Sequence, residues 1–208
     1  MAFPAAAPTK GQVAADRVAD AAFRLFVQQG FHGTSMRQIA QKAGLTAGSI
    51  YNHFNSKEEI FRQVLQKHHP YHQLLPILES AQGDDAEAII RNVALRAFQS
   101  VRKRKELLHL LFIEIVEFEG QHLGEIFKEV SPRVFKFLGK LPTSKGQLRP
   151  ISTPDLLLSM VGLVMSQWIL EAVFLKNIKL PAARNHFDAA LDIYLRGVLA
   201  PQAKEKHG

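Results

Sequence analysis

Between Val18 and Phe54 the apolar residues keep a helical period that glycines interrupt at short intervals, and few folds tolerate that pattern. Val18, Ala21, Ala22, Leu25 and Phe26 fall at i, i+3, i+4, i+7 and i+8, one stripe of a helix over residues 11–29. Gly30 stands where a left-handed residue ends a helix. A second helix is expected from Thr34 or Ser35, with Met36, Ile39, Ala40 and Ala43 inward and Ser35–Gln38 at capping-box spacing. Gly44 stops it early, and Thr46 is placed to cap a third helix running to Phe54, with Ile50 and Phe54 as its inward pair. Ser56 and Glu59 repeat the capping-box spacing and open a fourth helix carrying Ile60, Phe61, Val64, Leu65 and His68 on one face. Helix, short helix, glycine turn, short helix is the helix-turn-helix arrangement.

The third of these helices, TAGSIYNHF (46–54), begins with small residues and ends with large hydrogen-bonding and aromatic ones. Gly48 costs about 1 kcal/mol of helix propensity relative to alanine. A recognition helix enters the major groove by its leading end, where small side chains let the main chain approach bases and phosphates. Ala47 suits a thymine methyl and Ser49 suits base or phosphate, while Tyr51, Asn52 and His53 reach outward one turn later. The charge distribution agrees. Residues 1–69 hold eight Lys/Arg against four Asp/Glu, net +4, whereas the remaining two thirds of the chain supply only the other +3. The denser positive charge therefore lies in the amino-terminal third, as a polyanion-binding module requires.

From Arg17 to Ile60 the sequence RVADAAFRLFVQQGFHGTSMRQIAQKAGLTAGSIYNHFNSKEEI resembles the DNA-binding domain of the tetracycline-repressor (TetR) family of bacterial transcriptional regulators. The likeness runs without a gap through G-F-x-x-T-S, I-A-x-x-A-G-L-T, G-S-I-Y-x-H-F and K-E-E. It implies an all-α homodimer of about nine helices, with an N-terminal three-helix DNA-binding domain and a C-terminal ligand-binding and dimerisation domain. It also implies the contacts to operator DNA. Thr34 and Ser35 would bond phosphate through hydroxyl and backbone N–H groups, and Arg37 would reach phosphate or a base edge. Thr46, Ala47, Gly48, Ser49 and Asn52 would face the groove, with Tyr51 and His53 mostly on phosphates. Lys57 sits in the first turn of the fourth helix, where the dipole disfavours a cation; a phosphate in front of that helix would reverse the local field.

The expected organisation is a disordered arm at 1–10, a helix-turn-helix domain at 11–55, a linking helix at 56–75, a ligand and dimer domain at 76–202 and a tail at 203–208. Asp84 or Asp85 can cap a fifth helix that ends at the basic run 102–105, read as a solvated helix end. Helices follow at 106–120 and 123–138, then a polar Pro/Gly-bearing loop at 139–153, expected to be mobile. Thr153 would cap a helix to about Phe174 that is apolar on nearly every face, and a last helix is expected at 182–199. A helix apolar all round needs cover on more than one side, and a symmetry mate supplies it. The expected dimer face is Leu157, Val161, Gly162, Val164, Phe187, Leu191, Tyr194 and Leu195.

A largely apolar small-molecule effector is expected among Phe98, Phe112, Phe118, Phe127, Phe135, Met165, Trp168 and Phe174, with His109, Glu114, Glu117 or His122 as polar handles. Two other readings were weighed. Glu106/His109 and Glu119/His122 have the E-x-x-H spacing of di-iron carboxylate bundles, which would make the chain an enzyme, but no further inward carboxylate pair follows. His68, His69 and His72 in HHPYH could sense a metal or protons, although Pro70 prevents one continuous helix through them. No cofactor, resident metal or catalytic residue is expected. The absence of cysteine fits a reducing cytoplasm, the first residues do not read as a signal peptide, and 156–170 reads as too short and too polar for a membrane span.

Overall fold

The structure is a computed structural model that describes residues 9–139, 141, 148–175, 178 and 185–199. Residues 1–8 of the expected arm at 1–10, residues 140 and 142–147 of the 139–153 loop, residues 182–184 at the start of the last helix and the 203–208 tail lie outside the described residues. Within them the chain is all-α, as expected, apart from one isolated antiparallel bridge between Leu148 and Leu199. The α-helices are α1 (Lys10–Gln29), α2 (Met36–Ala43), α3 (Ala47–Ile50), α4 (Lys57–His68), α5 (Tyr71–Glu79), α6 (Ala86–Arg102), α7 (Glu106–Phe118), α8 (Gln121–Leu138), α9 (Thr153–Ile169) and α10 (His186–Val198). A π-helical turn, Leu170–Phe174, extends α9.

Two compact units make up the chain, and their division does not follow the linear order expected from the sequence. The N-terminal unit runs through His69 and also takes Glu106–Ile126; the C-terminal unit is built from Pro70–Lys105 and the chain from Phe127 onward. In the first unit the predicted stripes are buried: Val18, Ala21, Ala22, Leu25 and Phe26 on α1, Ile39, Ala40 and Ala43 on α2, and Ile60, Phe61, Val64 and Leu65 on α4. Ile50 and Phe54 are inward as well. The unexpected member is α7. Its Phe118 stacks on Phe61 at 4.9 Å and meets Phe31 edge-on at 5.0 Å, so the aromatic core continues from α1 and α4 into α7.

What turns the chain from α7 into α8 is polar. Glu119 (φ 52°) and Gly120 (φ 81°) both take the left-handed conformation. The fully buried Glu114 reaches across this corner, its Oε1 accepting from the N–H groups of His122 (2.7 Å) and Leu123 (3.2 Å). Its other oxygen lies 2.8 Å from His122 Nδ1. A carboxyl group thus caps the first turn of α8 from within the core.

The caps read from the sequence hold in most places. Ser35 and Gln38 form a full capping box, Thr46 accepts from Ser49 N–H, and Asp85 caps α6. Ser56 accepts from Glu59 N–H, but the Glu59 carboxylate turns one residue back to Asn55 N–H. The cap of α9 is Ser152 rather than Thr153. The single linking helix expected over 56–75 is two helices, because Pro70 has no N–H to continue α4 and instead starts α5.

In the C-terminal unit α6 packs against α9 and α10. Phe98 stacks on Phe187 at 4.0 Å, and Arg91 donates to Asp192 at 2.8 Å. Leu156, Leu157, Met160, Val164 and Trp168 form the buried stripe of α9. With its π turn this helix is long and apolar enough to cross a membrane by length and composition alone. Its buried stripe is instead used within the unit.

Candidate nucleic-acid interface

The helix-turn-helix is held by close fits that the sequence only hints at. Gly44 adopts φ 70° and donates to Gln41 O, while Leu45 N–H reaches back to Ala40 O at 2.9 Å, the hydrogen-bond pattern of a left-handed helix end. Arg17 from α1 closes the same end by donating to Ala43 O. At the other end of α2, a Cβ added to Gly33 would lie 2.3 Å from Gln29 O, so the 30–34 turn passes too near α1 for any side chain.

α3 is a single turn, Ala47–Ile50, followed by a turn through His53, where the sequence suggested one helix to Phe54. Phe54 N–H still bonds Ile50 O at 3.0 Å, so the inward anchors survive the shorter helix. Thr46, Ala47, Gly48, Tyr51 and Asn52 are exposed, and Ser49 and His53 are half-buried. Ser49 Oγ lies 2.6 Å from Thr46 Oγ1. Among the described residues none hydrogen-bonds the side chains of Arg37, Tyr51 or Asn52. An added Cβ at Gly48 would meet nothing within 4 Å. Nothing among the described residues therefore requires glycine at 48.

Two expected contacts are turned inward. Thr34 is 2% exposed; its hydroxyl donates to Gly30 O at 2.8 Å and its N–H bonds Phe31 O, so neither group is presented to a phosphate. Ser35, the exposed cap of α2, remains on the surface. Lys57 Nζ donates to Phe31 O at 2.6 Å and Thr34 O at 2.8 Å, and stands 4.2 Å from the centroid of the Phe31 ring. Burial lowers its pKa from the usual lysine value, and the carboxylate of Glu117 opposes that shift. Glu117 itself lies 2.5 Å from Nε2 of His32, in the same turn. Sequence reasoning missed this arrangement because a lysine at a helix start looks the same whether it points to solvent or into a neighbouring turn.

The expected effector residues are divided between the two units. His109, Phe112, Glu114 and Phe118 belong to the N-terminal unit, and Phe98, Phe127, Met165 and Trp168 to the C-terminal unit. Glu114, Glu117 and His122 are engaged inside the first unit, and Phe98 is core of the second. Phe112 and Phe127 are exposed. The C-terminal unit carries a cleft of about 600 Å³ between the ends of α5 and α8 and the start of α6, walled by Leu78, Ile89, Phe137 and Leu141 and rimmed by Arg133 and Lys136. None of these was singled out in the sequence; Arg133, Lys136 and Phe137 on one helix face were the available signal.

The dimer face needs a similar revision. Leu157, Val164, Phe187, Leu191 and Leu195 are buried within the C-terminal unit and so are unavailable to a partner. Val161 and Gly162 are exposed, beside Leu158, and Tyr194 is half-buried with its hydroxyl on Leu156 O and Ser159. Ile193, 73% exposed, was missed. The residues of the two alternative readings are engaged elsewhere or divided between the units. His68 stacks on Phe23 near Asp20, His72 lies in the other unit, and His122 pairs with Glu114 rather than Glu119. Among the described residues no group of three or more His, Cys, Asp or Glu is placed to hold a metal.

Residues 18–64 match the family described as bacterial regulatory proteins, tetR family. The HTH-type transcriptional regulator AcrR of Shigella flexneri is 30% identical over 115 residues, 54% of this chain and 54% of its own length. TtgR of Pseudomonas putida, also an HTH-type transcriptional regulator, is 33% identical over 100 residues, 45% and 48% of the two chains. The chain thus spans about half the length of the curated relatives it matches. Among solved structures, a TetR-family transcription regulator from Shewanella sp. PV-4 aligns with a TM-score of 0.65 at 16% identity, covering 90% of this chain and 99% of that one. Native NalD of Pseudomonas aeruginosa, described as the secondary repressor of the MexAB-OprM multidrug efflux pump, aligns with a TM-score of 0.63 at 23% identity, covering 91% and 98%. At these identities both structures speak for the fold. Residues 18–64 thus carry the DNA-binding module of the TetR family of bacterial transcriptional regulators, and the described helices share the all-α fold of TetR-family structures.

Proposed function

We propose that the protein is a cytoplasmic repressor that binds a palindromic operator as a homodimer and whose operator affinity is altered by a small, largely apolar effector. The observation that carries the DNA reading is Gly48, a helix-weakening residue on an exposed leading edge with no intramolecular reason to be bare. Ser35, Arg37, Thr46, Ala47, Ser49, Tyr51, Asn52 and His53 are the contacts proposed around it. The description of the structurally similar NalD as a repressor supports the sign of regulation.

The homodimer reading rests on α9, whose Leu158 and Val161 are 63% and 49% exposed beside Gly162, with Ile193 of α10 a third uncovered apolar residue. Val161→Asp is expected to convert the dimer to a monomer in sedimentation velocity. It should also lower operator affinity by about 100-fold or more, since each half-site then binds alone. A variant that remained dimeric would remove α9 from the interface.

The effector reading is confined to the C-terminal unit. Its cleft has the volume of a small-molecule site, with Leu78, Ile89, Phe137 and Leu141 as apolar lining beside Glu79, Arg133 and Lys136. Trp168 is 3% exposed and its indole N–H has no acceptor among the described residues, an uncommon state for a buried donor and one that a ligand oxygen would satisfy. Thermal stabilisation by small, highly polar compounds alone would contradict the apolar effector. The central test is selection of bound duplexes from a random pool. A two-fold symmetric consensus supports the proposal, and recovery of none at low salt overturns it.

A further inference from the structure

We infer that Lys57 and Glu117 are positioning residues of the DNA-binding face: the Lys57 ammonium locks the α1–α2 turn from α4, and the Glu117 carboxylate of α7 grips the same turn at His32. The inference deepens the proposed DNA-binding function and rests on it for its functional consequence, though not for its geometry.

Four observations converge on this turn. Lys57 Nζ donates to Phe31 O and Thr34 O, the two carbonyls that bracket the residues leading into α2. The ammonium also stands over the Phe31 ring, so the aromatic side chain and the main chain of the turn are fixed by one group. Phe31 in turn packs edge-on against Phe118 of α7, and His32 pairs with Glu117 one residue earlier on that helix. Glu117 acts electrostatically on Lys57, favouring the charged form that burial disfavours. The turn is therefore gripped from α4 through Lys57 and from α7 through Glu117 and Phe118.

Ser35 and Arg37, the exposed groups proposed to meet the phosphate backbone, follow directly on the bracketed residues. A lysine with two of its three N–H groups on carbonyls and its ammonium over a ring contributes to DNA binding by fixing where those groups stand. This differs from a phosphate contact in a measurable way. Neutralising one phosphate with a cation releases a counterion, so losing such a contact makes the salt dependence of binding shallower by about one unit. Losing a positioning residue lowers affinity at every salt concentration and leaves the slope in place.

The test compares wild type with Lys57→Met, Glu117→Gln and the double variant, each as the full chain. Affinity for the selected duplex is measured across a salt series, and amide hydrogen exchange is followed at residues 31–38. Lys57→Met should weaken binding about tenfold with an unchanged slope and should raise exchange in the turn. Glu117→Gln should do both to a smaller degree, and the double variant should lose less than the sum of the two single losses because both residues hold the same turn. A shallower slope for Lys57→Met, or unaltered exchange at 31–38, overturns the inference. Should Lys57→Met not fold, Glu117→Gln, which changes a partly exposed side chain, carries the same comparisons. If wild type bound no duplex, the DNA reading would fail, while the exchange data would still decide whether Lys57 and Glu117 hold the turn.

Discussion

Gly48→Val is expected to reduce operator affinity by about 100-fold or more, roughly 3 kcal/mol, while leaving the thermal midpoint of the free protein within a few degrees of wild type. The two halves of this result come from one fact. A Cβ at position 48 would meet nothing within 4 Å, so the free fold has room for a side chain. Glycine is also the poorer helix former, by about 1 kcal/mol against alanine, with valine between them. The folded protein therefore loses nothing by the change. On DNA the same branched side chain would stand between the α3 main chain and the groove, pushing back Ala47 and Ser49 on either side. A well-made base contact contributes about 1–3 kcal/mol of discrimination, and displacing the helix weakens more than one at once. Gly48→Ala should fall between the two, with a smaller loss of affinity. Fluorescence anisotropy with the selected duplex, paired with circular-dichroism melting, measures both halves. Equal affinity for wild type and Gly48→Val would mean that the bare edge of α3 is not where the duplex sits.

The sequence made the helix-turn-helix legible because its local rules agree with one another. Caps at Ser35, Thr46 and Ser56, the left-handed stop at Gly44 and the apolar stripes of α1, α2 and α4 all point to the same boundaries. Periodicity names the buried face of a helix but not what covers it. That is why Leu157 and Leu191, read as dimer contacts, are core of their own protomer, and why Ile193 was overlooked. It is also why α7 was assigned to the C-terminal domain. Nothing in its composition says that Phe118 will lie against Phe61.

Polar residues were harder still. Thr34 and Lys57 are the types that contact phosphate, and the same donors serve equally well on a carbonyl. Only the three-dimensional course of the 30–34 turn decides between those partners. The DNA-facing set read from the sequence therefore contains two kinds of residue: Arg37, Tyr51 and Asn52 are offered to solvent, and Thr34 and Lys57 build the surface that offers them.

Glu114→Ala is expected to destabilise the protein by about 3–5 kcal/mol, the largest loss among the substitutions considered. The carboxyl group is 0% exposed and accepts from His122 N–H and Leu123 N–H, and His122 Nδ1 pairs with its second oxygen. Removing it leaves a buried backbone donor at His122, a part-buried one at Leu123 and a buried imidazole without that partner, each costing up to about 1–3 kcal/mol when unsatisfied. The first turn of α8 loses its cap at the point where Glu119 and Gly120 already hold left-handed backbone. His122 also rests against Phe118 and Phe61, so the loss passes into the aromatic core shared by α4 and α7. Glu114→Gln keeps the shape and one acceptor oxygen, and it should cost less than half as much, provided the His122 ring can take the tautomer that accepts from the new amide. Urea unfolding at neutral pH separates these outcomes, with the midpoint for Glu114→Ala lower by about 1–3 M at an ordinary denaturant slope. A loss below about 1 kcal/mol would show that the α7–α8 corner is held by its aromatic packing, with the buried carboxyl group an incidental passenger.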